Sequence, residues 1–280
     1  MRELSCAHIQ EAVARLCRQA NRYLPSDLRQ ALVQARAEET SAIGQAVLDE
    51  LVENASLAEQ KDWPICQDTG MAVVFIRLGQ DVHLVGGNLE DAVNQGVAEG
   101  YRAGYLRSSV VDDPLLRRNT GDNTPAVLHV TLVPGDRLEL TVAPKGFGSE
   151  NMSAAIMLSP SEGIEGIRRF VLATVEKAGP NPCPPIVIGL GLGGTLEKAA
   201  LLAKQALLLP VSQQNEQPHL ALLEAELLAA VNRLGIGPSG LGGRTTALAL
   251  HILSYPTHIA GLPVVLNMSC HATRHAHTVL

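Results

Sequence analysis

An α+β architecture is what this sequence predicts, and three observations carry that prediction. The first sixty residues keep a helical beat of aliphatic side chains. The rest mixes short apolar or alternating runs with amphipathic segments. No strict strand–helix–strand rhythm repeats, so a purely parallel sheet is not expected. The expectation is one compact unit over residues 1–280, with a helical part at about 1–60 followed by mixed strands and helices.

Leu4, Ile9, Val13 and Leu16 set the first helix, and Cys6 and Cys17 fall inside its pattern. Ser26, after Pro25, suits the N-cap of a helix over 27–39, since its hydroxyl can accept an orphan N–H of the first turn. A third helix, over about 41–59, puts Ile43, Val47, Leu48, Leu51 and Val52 on one side. After a polar loop, 71–78 reads as a buried strand. Residues 89–101 read as a helix that Gly96 and Gly100 weaken. Residues 126–133 and 137–142 alternate on either side of Pro134-Gly135-Asp136, the pattern of a β-hairpin. A polar, glycine-rich loop over 144–153 follows, and Ser159-Pro160-Ser161-Glu162 opens a helix reaching about Lys177. Residues 186–190 form a short strand entering the glycine run 189–194, with helices over 195–209 and 219–234 behind it. Strands near 245–252 and 263–268 close the chain.

Composition narrows the function. The chain has 280 residues, enough for a sizeable core, and is 46% hydrophobic but only 3% aromatic, so that core is aliphatic. A net charge of -6 argues against a nucleic-acid partner while leaving room for a cationic pocket around a small anion. The opening Met1-Arg2-Glu3-Leu4-Ser5 lacks the apolar stretch of a secretion signal. No run approaches the roughly 18 apolar residues of a membrane span. Five cysteines, an odd number, do not suggest a disulfide framework. A cytoplasmic protein whose thiols can bind metal is expected.

Three cysteines stand among polar residues, glycines and prolines: Ile65-Cys66-Gln67-Asp68-Thr69-Gly70, Gly179-Pro180-Asn181-Pro182-Cys183-Pro184-Pro185 and Asn267-Met268-Ser269-Cys270-His271. Their wide spacing is unlike a zinc ribbon or a ferredoxin, whose ligands come in close pairs. Spacing alone would make them independent buried thiols. Their neighbourhoods point the other way, because rigid loops at strand ends are where ligands are displayed. Cys6 and Cys17 read as core. Three thiolates on a four-iron cluster would leave one iron open as a Lewis acid, which suits a hydro-lyase better than an electron carrier.

The run Gly189-Leu190-Gly191-Leu192-Gly193-Gly194 satisfies G-x-G-x-x-G between strand and helix, as a dinucleotide site and its oxidoreductase would. About twenty residues on, however, Pro210-Val211-Ser212-Gln213-Gln214 offers no acidic residue for a ribose. Close strand–helix packing, or an anion at the helix N-terminus, explains the run better. Asp68 reads as a proton donor, a substrate partner or a turn former. Arg107 and Lys145 are candidate carboxylate clamps, Arg107 because its planar fork matches a carboxylate. His258 lies in a loop before the last strand, where a polar role is reasonable. His271, His275 and His277 near the end read as solvated imidazoles or metal ligands.

Taken together the segments resemble the α subunit of the class I, iron–sulfur-dependent fumarate hydratase family, which also holds L-tartrate dehydratase. The matching stretches are Cys66-Gln67-Asp68-Thr69-Gly70, Asn119-Thr120-Gly121-Asp122-Asn123 and Ala143-Pro144-Lys145-Gly146-Phe147-Gly148-Ser149-Glu150-Asn151-Met152. The stretch from Gly179 to Pro185, Gly235-Ile236-Gly237-Pro238, Tyr255-Pro256-Thr257-His258-Ile259-Ala260-Gly261 and Cys270-His271-Ala272 extend the match over nearly the whole chain. The resemblance implies that Cys66, Cys183 and Cys270 hold a [4Fe–4S] cluster with a substrate-binding iron. It implies substrate contacts from Gln67, Asp68, Arg107, Lys145 and His258, with Gly146 and Gly148 along the pocket. Phe147 departs from the expected third glycine and would reshape that wall. The form Lys-Gly-x-Gly-Ser-Glu-Asn resembles the fumarase branch, so reversible hydration of fumarate to L-malate is expected, with L-tartrate dehydration as the alternative. Cys270 lies close to Leu280, leaving little chain to roof a cluster. The resemblance implies a β subunit carrying the second half, in a dimer of α–β pairs.

Overall fold

The computed structural model describes residues 2–280 and has the α+β architecture that the patterning predicts. The chain opens with β1 (Arg2–Ser5), α1 (Cys6–Arg22), α2 (Ser26–Glu38) and α3 (Ala42–Lys61). Then come β2 (Met71–Gly79), β3 (Val82–Val85), α4 (Leu89–Ala103), β4 (Val127–Val133) and β5 (Leu138–Lys145). A one-turn α5 (Phe147–Glu150), β6 (Ala154–Leu158), α6 (Gly163–Ala178), β7 (Ile186–Gly193) and α7 (Leu196–Ala206) follow. The last elements are α8 (Pro218–Asn232), β8 (Ala247–Tyr255), β9 (Leu262–Ser269) and β10 (Ala276–Val279). Among the described residues no helix is long and apolar enough to cross a membrane.

The fold comprises two compact units, each assembled from separate segments. The first takes residues up to Leu24, Leu57–Phe147 and Arg274–Leu280; the second takes Pro25–Ser56 and Gly148–Thr273. One crossing, at Phe147 and Gly148, falls in the glycine-rich stretch 144–153, and another, at Leu24 and Pro25, precedes Ser26; those at Ser56 and Thr273 carry no such signal.

In the first unit a four-stranded sheet runs in the order β10-β5-β2-β4, beside a parallel β1–β3 pair. Val74, Ile76, Leu138, Leu140 and Val142 are buried in one core with Ile9, Val13 and Leu16 of α1 and Val93, Val97 and Tyr101 of α4. Gly96 and Gly100, which weaken α4 as an isolated helix, let it approach α1. A Cβ on Gly96 would lie 2.6 Å from the Gln10 carbonyl, and one on Gly100 2.7 Å from that of Ala14. Leu4 belongs to β1 rather than to the first helix, because the Ser5 hydroxyl accepts the Ala7 N–H and caps α1 at that point.

The expected hairpin over 126–142 does not form. β4 and β5 do not pair; β2 lies between them, parallel to β4 and antiparallel to β5. The end of β2 occupies the gap below the turn, where Gly79 N donates to Arg137 O and Gln80 N to Val133 O, each at 2.9 Å. A side chain on Gly79 would collide with the Gly135 carbonyl, so glycine is what lets the connection cross over β2. Alternation predicts strands but not partners.

In the second unit the sheet order is β6-β9-β7-β8, with β7 parallel to β8 and antiparallel to β9. All eight residues of β7 are buried. Side chains on Gly189 and Gly191 would collide with the Ala203 and Ala199 carbonyls of α7. The glycine run is thus accounted for by close strand–helix packing. α6 and α8 cover the sheet with Ile167, Val171 and Val175, and with Leu220, Leu223, Leu227 and Val231. The capping box read at Ser159 and Glu162 is present and leads into α6. The buried Glu39 carboxylate accepts N–H groups of Thr40, Ser41, Arg244 and Thr245 at 2.8–3.1 Å, tying the α2–α3 turn to the segment before β8.

Candidate active site

The first thiol loop joins α3 to β2 in the first unit. Ile65 anchors it, buried and donating its N–H to Asn21 O at 2.9 Å. Cys66 is half-buried, and its thiol donates to Gln67 Oε1 at 3.5 Å, while Gln67 itself is exposed. The next three carbonyls turn inward onto buried side chains. Arg274 Nη2 donates to Asp68 O. The Tyr101 hydroxyl donates to Thr69 O at 2.7 Å and Gly70 O at 3.1 Å, and Asn123 Nδ2 reaches Gly70 O at 3.1 Å. Burial raises the Tyr101 phenol well above its ordinary value, so the hydroxyl keeps its proton.

Asp68 presents its carboxylate to two backbone donors. Oδ1 accepts Gly70 N at 3.1 Å, closing an Asx turn, and Oδ2 accepts Phe147 N at 2.9 Å. Gly146 leaves space for that carboxylate, since a Cβ there would lie 3.0 Å from Oδ2. The bond to Asp68 comes from the Phe147 backbone, so the departure from glycine preserves it, and the phenyl ring is exposed. Lys145 is buried, with Nζ donating to Gly146 O at 3.3 Å. Arg107 is exposed; among the described residues no carboxylate pairs with its guanidinium, which leaves the fork available to an anion.

The other two thiol loops belong to the second unit. Cys183 is exposed and lies in the left-handed region at φ 56, a conformation that costs a non-glycine residue energy and persists only where its surroundings enforce it. Those surroundings are the flanking prolines, Ser239 N donating to Pro184 O at 2.8 Å, and Gly240, on which a side chain would collide with Pro180. His271 joins this loop to that of Cys270: its N–H and ring Nδ1 both reach Cys183 O, at 3.3 and 3.1 Å. Cys270 is half-buried, and its carbonyl accepts the Thr273 hydroxyl at 2.8 Å. Gly148 lies 3.7 Å, measured from an added Cβ, from Asn181 O of the Cys183 loop. Nearby, Glu150 is held by Lys204 Nζ and by Asn267 Nδ2, the latter at 2.9 Å.

His258 is exposed. Its Nδ1 accepts the Ala260 N–H at 3.1 Å, so a neutral ring carries its proton on Nε2 and offers it as a donor. Cys6 and Cys17, by contrast, are buried in α1, and burial pushes the Cys17 thiol up to about 12 against the opposing charge of Arg18. A thiolate ligand is disfavoured there. None of the described cysteines forms a disulfide. Among the described residues, no group of three or more His, Cys, Asp and Glu side chains stands as a ready-made metal cage.

The sequence reading names Cys66, Gln67, Asp68, Arg107, Cys183, His258 and Cys270 as candidates; of the side chains that grip the Cys66 loop, only Asn123 falls in a matching stretch, 119–123, and no role is assigned to it there. Tyr101, Asn123 and Arg274 are far along the chain from the loop they grip. For Tyr101 and Arg274 the only sequence signal is polarity within mixed surroundings.

A family model described as fumarate hydratase (Fumerase) matches residues 10–279. A Methanocaldococcus jannaschii protein, provisionally named L(+)-tartrate dehydratase subunit alpha, is 42% identical over 274 residues, covering 96% of each chain. The Escherichia coli (strain UTI89) protein named L(+)-tartrate dehydratase subunit alpha is 33% identical over 267 residues, 94% of this chain and 88% of its own. Its counterpart in strain K12 is 32% identical over the same span.

Proposed function

This chain belongs to the fumarate hydratase family, and from that premise we propose that it is the α subunit of a hydro-lyase acting on a small dicarboxylate, with fumarate and L-malate as the interconverted pair. The observation that carries the reading is the division among the cysteines. Cys66, Cys183 and Cys270 are accessible on loops fixed by specific contacts, whereas Cys6 and Cys17 are buried in a helix. That donor set fits a [4Fe–4S] cluster held by Cys66, Cys183 and Cys270. When bound, such a cluster supplies one open iron as a Lewis acid for a substrate oxygen.

The chain's own residues then have separable tasks. Arg107, exposed and with no carboxylate on its guanidinium among the described residues, receives one substrate carboxylate through its planar fork. Gln67 supplies an exposed amide for a substrate oxygen. His258 offers Nε2–H as a donor. Gly146 and Gly148 keep side chains off the wall, and Lys145 backs that stretch. Asp68, with each carboxylate oxygen already receiving a backbone N–H, is held rigidly and orients substrate or relays its proton. Hydration places hydroxide on one alkene carbon and a proton on the next, so a second proton-transfer group is required opposite Asp68. We assign that group to a β subunit, consistent with the subunit names of the relatives. The complex is a cytoplasmic dimer of α–β pairs in this reading.

L-tartrate dehydration is the second reading, favoured by the names of those same relatives. Side-by-side turnover of fumarate and L-tartrate by anaerobically prepared α–β protein separates the two. Faster fumarate hydration supports the first; tartrate dehydration alone replaces it with the second. Turnover of neither by a cluster-loaded complex would remove the hydro-lyase assignment.

A further inference from the structure

We infer that Thr69 is a positioning residue that fixes Arg107 relative to Gln67 and Asp68, an inference that rests on the carboxylate-binding role proposed for Arg107. Thr69 is 2% exposed, and its single hydroxyl takes both backbone groups of Arg107. Oγ1 accepts Arg107 N at 2.9 Å and donates to Arg107 O at 3.2 Å. A second tie lies two residues on, where Ser109 N donates to Asn123 Oδ1 at 2.7 Å while Asn123 Nδ2 grips Gly70 O. Between α4 and β4 the chain has no regular structure beyond one bridge, Val111 to Asn119. Tyr105, just before, is in the left-handed region at φ 54. No helix or strand aims Arg107; its neighbours are held by Leu106 N donating to Tyr101 O at 2.9 Å and by Asn119 Nδ2 donating to Ser108 O at 3.0 Å, and Thr69 is the side chain that holds the Arg107 backbone itself.

Thr69 in turn is fixed through its own carbonyl by the Tyr101 hydroxyl, and Asp68 through its carbonyl by Arg274. Thr69 thus links the two candidate substrate-contacting segments by one side chain. A clamp on a carboxylate depends steeply on placement, and a misplacement of about 1 Å can cost ~100-fold in rate.

The test compares Thr69→Val, which keeps the shape and removes the hydroxyl, with Thr69→Ser, which keeps the hydroxyl, in the α–β complex. Thr69→Val should speed hydrogen exchange of the Arg107 amide by roughly 10-fold. It should raise KM for fumarate, and the inhibition constant of succinate, by roughly 10-fold or more, leaving inhibition by the monocarboxylate propionate and the iron content unchanged. Thr69→Ser should restore all of these. A folded Thr69→Val protein with wild-type exchange at Arg107 and wild-type succinate inhibition would overturn the inference. A loss of stability with equal weakening of succinate and propionate would also overturn it, marking a purely structural role. If Thr69→Val does not fold, Tyr101→Phe replaces it and must move the same readouts in the same direction; no movement overturns the inference. A wild-type complex that turns over neither substrate counts against the hydro-lyase reading, and the Arg107 exchange rate then judges Thr69 by itself.

Discussion

In the Cys66 loop three successive carbonyls, of Asp68, Thr69 and Gly70, are gripped by the side chains of Arg274, Tyr101 and Asn123, all drawn from the interior of the first unit. In the Cys183 loop the hold is mostly main-chain: prolines, a left-handed cysteine, backbone donors from Ser239 and His271, and a glycine packed against Pro180. One thiol loop is therefore specified by buried polar side chains and the other by backbone conformation. The two should fail under different substitutions and different conditions.

The largest effect is expected where backbone conformation has no alternative. Gly240 has φ 76 and no room for a Cβ beside Pro180, so Gly240→Val should cost about 3 kcal/mol or more. Chemical denaturation measures that loss, and faster thiol labelling at Cys183 should accompany it. A variant of wild-type stability would contradict the backbone account of this loop.

Asn123→Ala probes the other loop and should cost about 1–2 kcal/mol, because it unpairs the Ser109 N–H and leaves the Gly70 carbonyl to the Tyr101 hydroxyl alone. Asn123 also lies at φ 63, which asparagine tolerates better than alanine. Labelling should accelerate at Cys66 and not at Cys183. Equal acceleration at both would erase the distinction between the loops.

The smallest effect is a contrast in pH dependence. Burial pushes Cys17 from 9.0 up to about 12 and raises Tyr101. Their folded values exceed the unfolded ones, so the first unit keeps this contribution below about pH 9 and loses it as pH climbs toward 12. In the second unit, burial lowers His251 from 6.5 against the pull of Glu224 and Asp27. Burial would raise Glu39, but the N–H groups of Ser41, Arg244, Thr245 and Thr40 outweigh it and hold the carboxyl below 4.5. Both contributions are complete near neutrality and fade in acid, that of His251 below about 6.5 and that of Glu39 below about 4.5. Asp113 and Asp122 in the first unit are also lowered, by turn hydrogen bonds, but in solvent they count for little. Protection factors corrected for intrinsic exchange should fall first in the second unit at pH 5 and first in the first unit above pH 10. The reverse order would contradict the assignment of these groups.

Much of this was legible from local pattern. The cap at Ser159, the strand β2, the helix α8 with its buried Leu220, Leu223, Leu227 and Val231, and the packing origin of the glycine run all follow from residues close together in sequence. The thiol loops were visible because prolines, glycines and polar residues interrupt the core pattern. What was not legible depends on distant partners. β1, β3, β6 and β10 are only four or five residues long and pair with remote strands. The false hairpin over 126–142 shows that a good turn between alternating runs leaves room for a third strand. The tie from Thr69 to Arg107 spans a long loop, and neither residue's neighbours announce it.

The most direct measurement is iron and acid-labile sulfide in the anaerobically purified α–β complex, for wild type and for single Cys→Ala variants at all five positions. The account predicts about four of each per pair, lost on substitution of Cys66, Cys183 or Cys270 and kept on substitution of Cys6 or Cys17. Negligible iron after anaerobic reconstitution, or a cluster indifferent to Cys183→Ala, would contradict it.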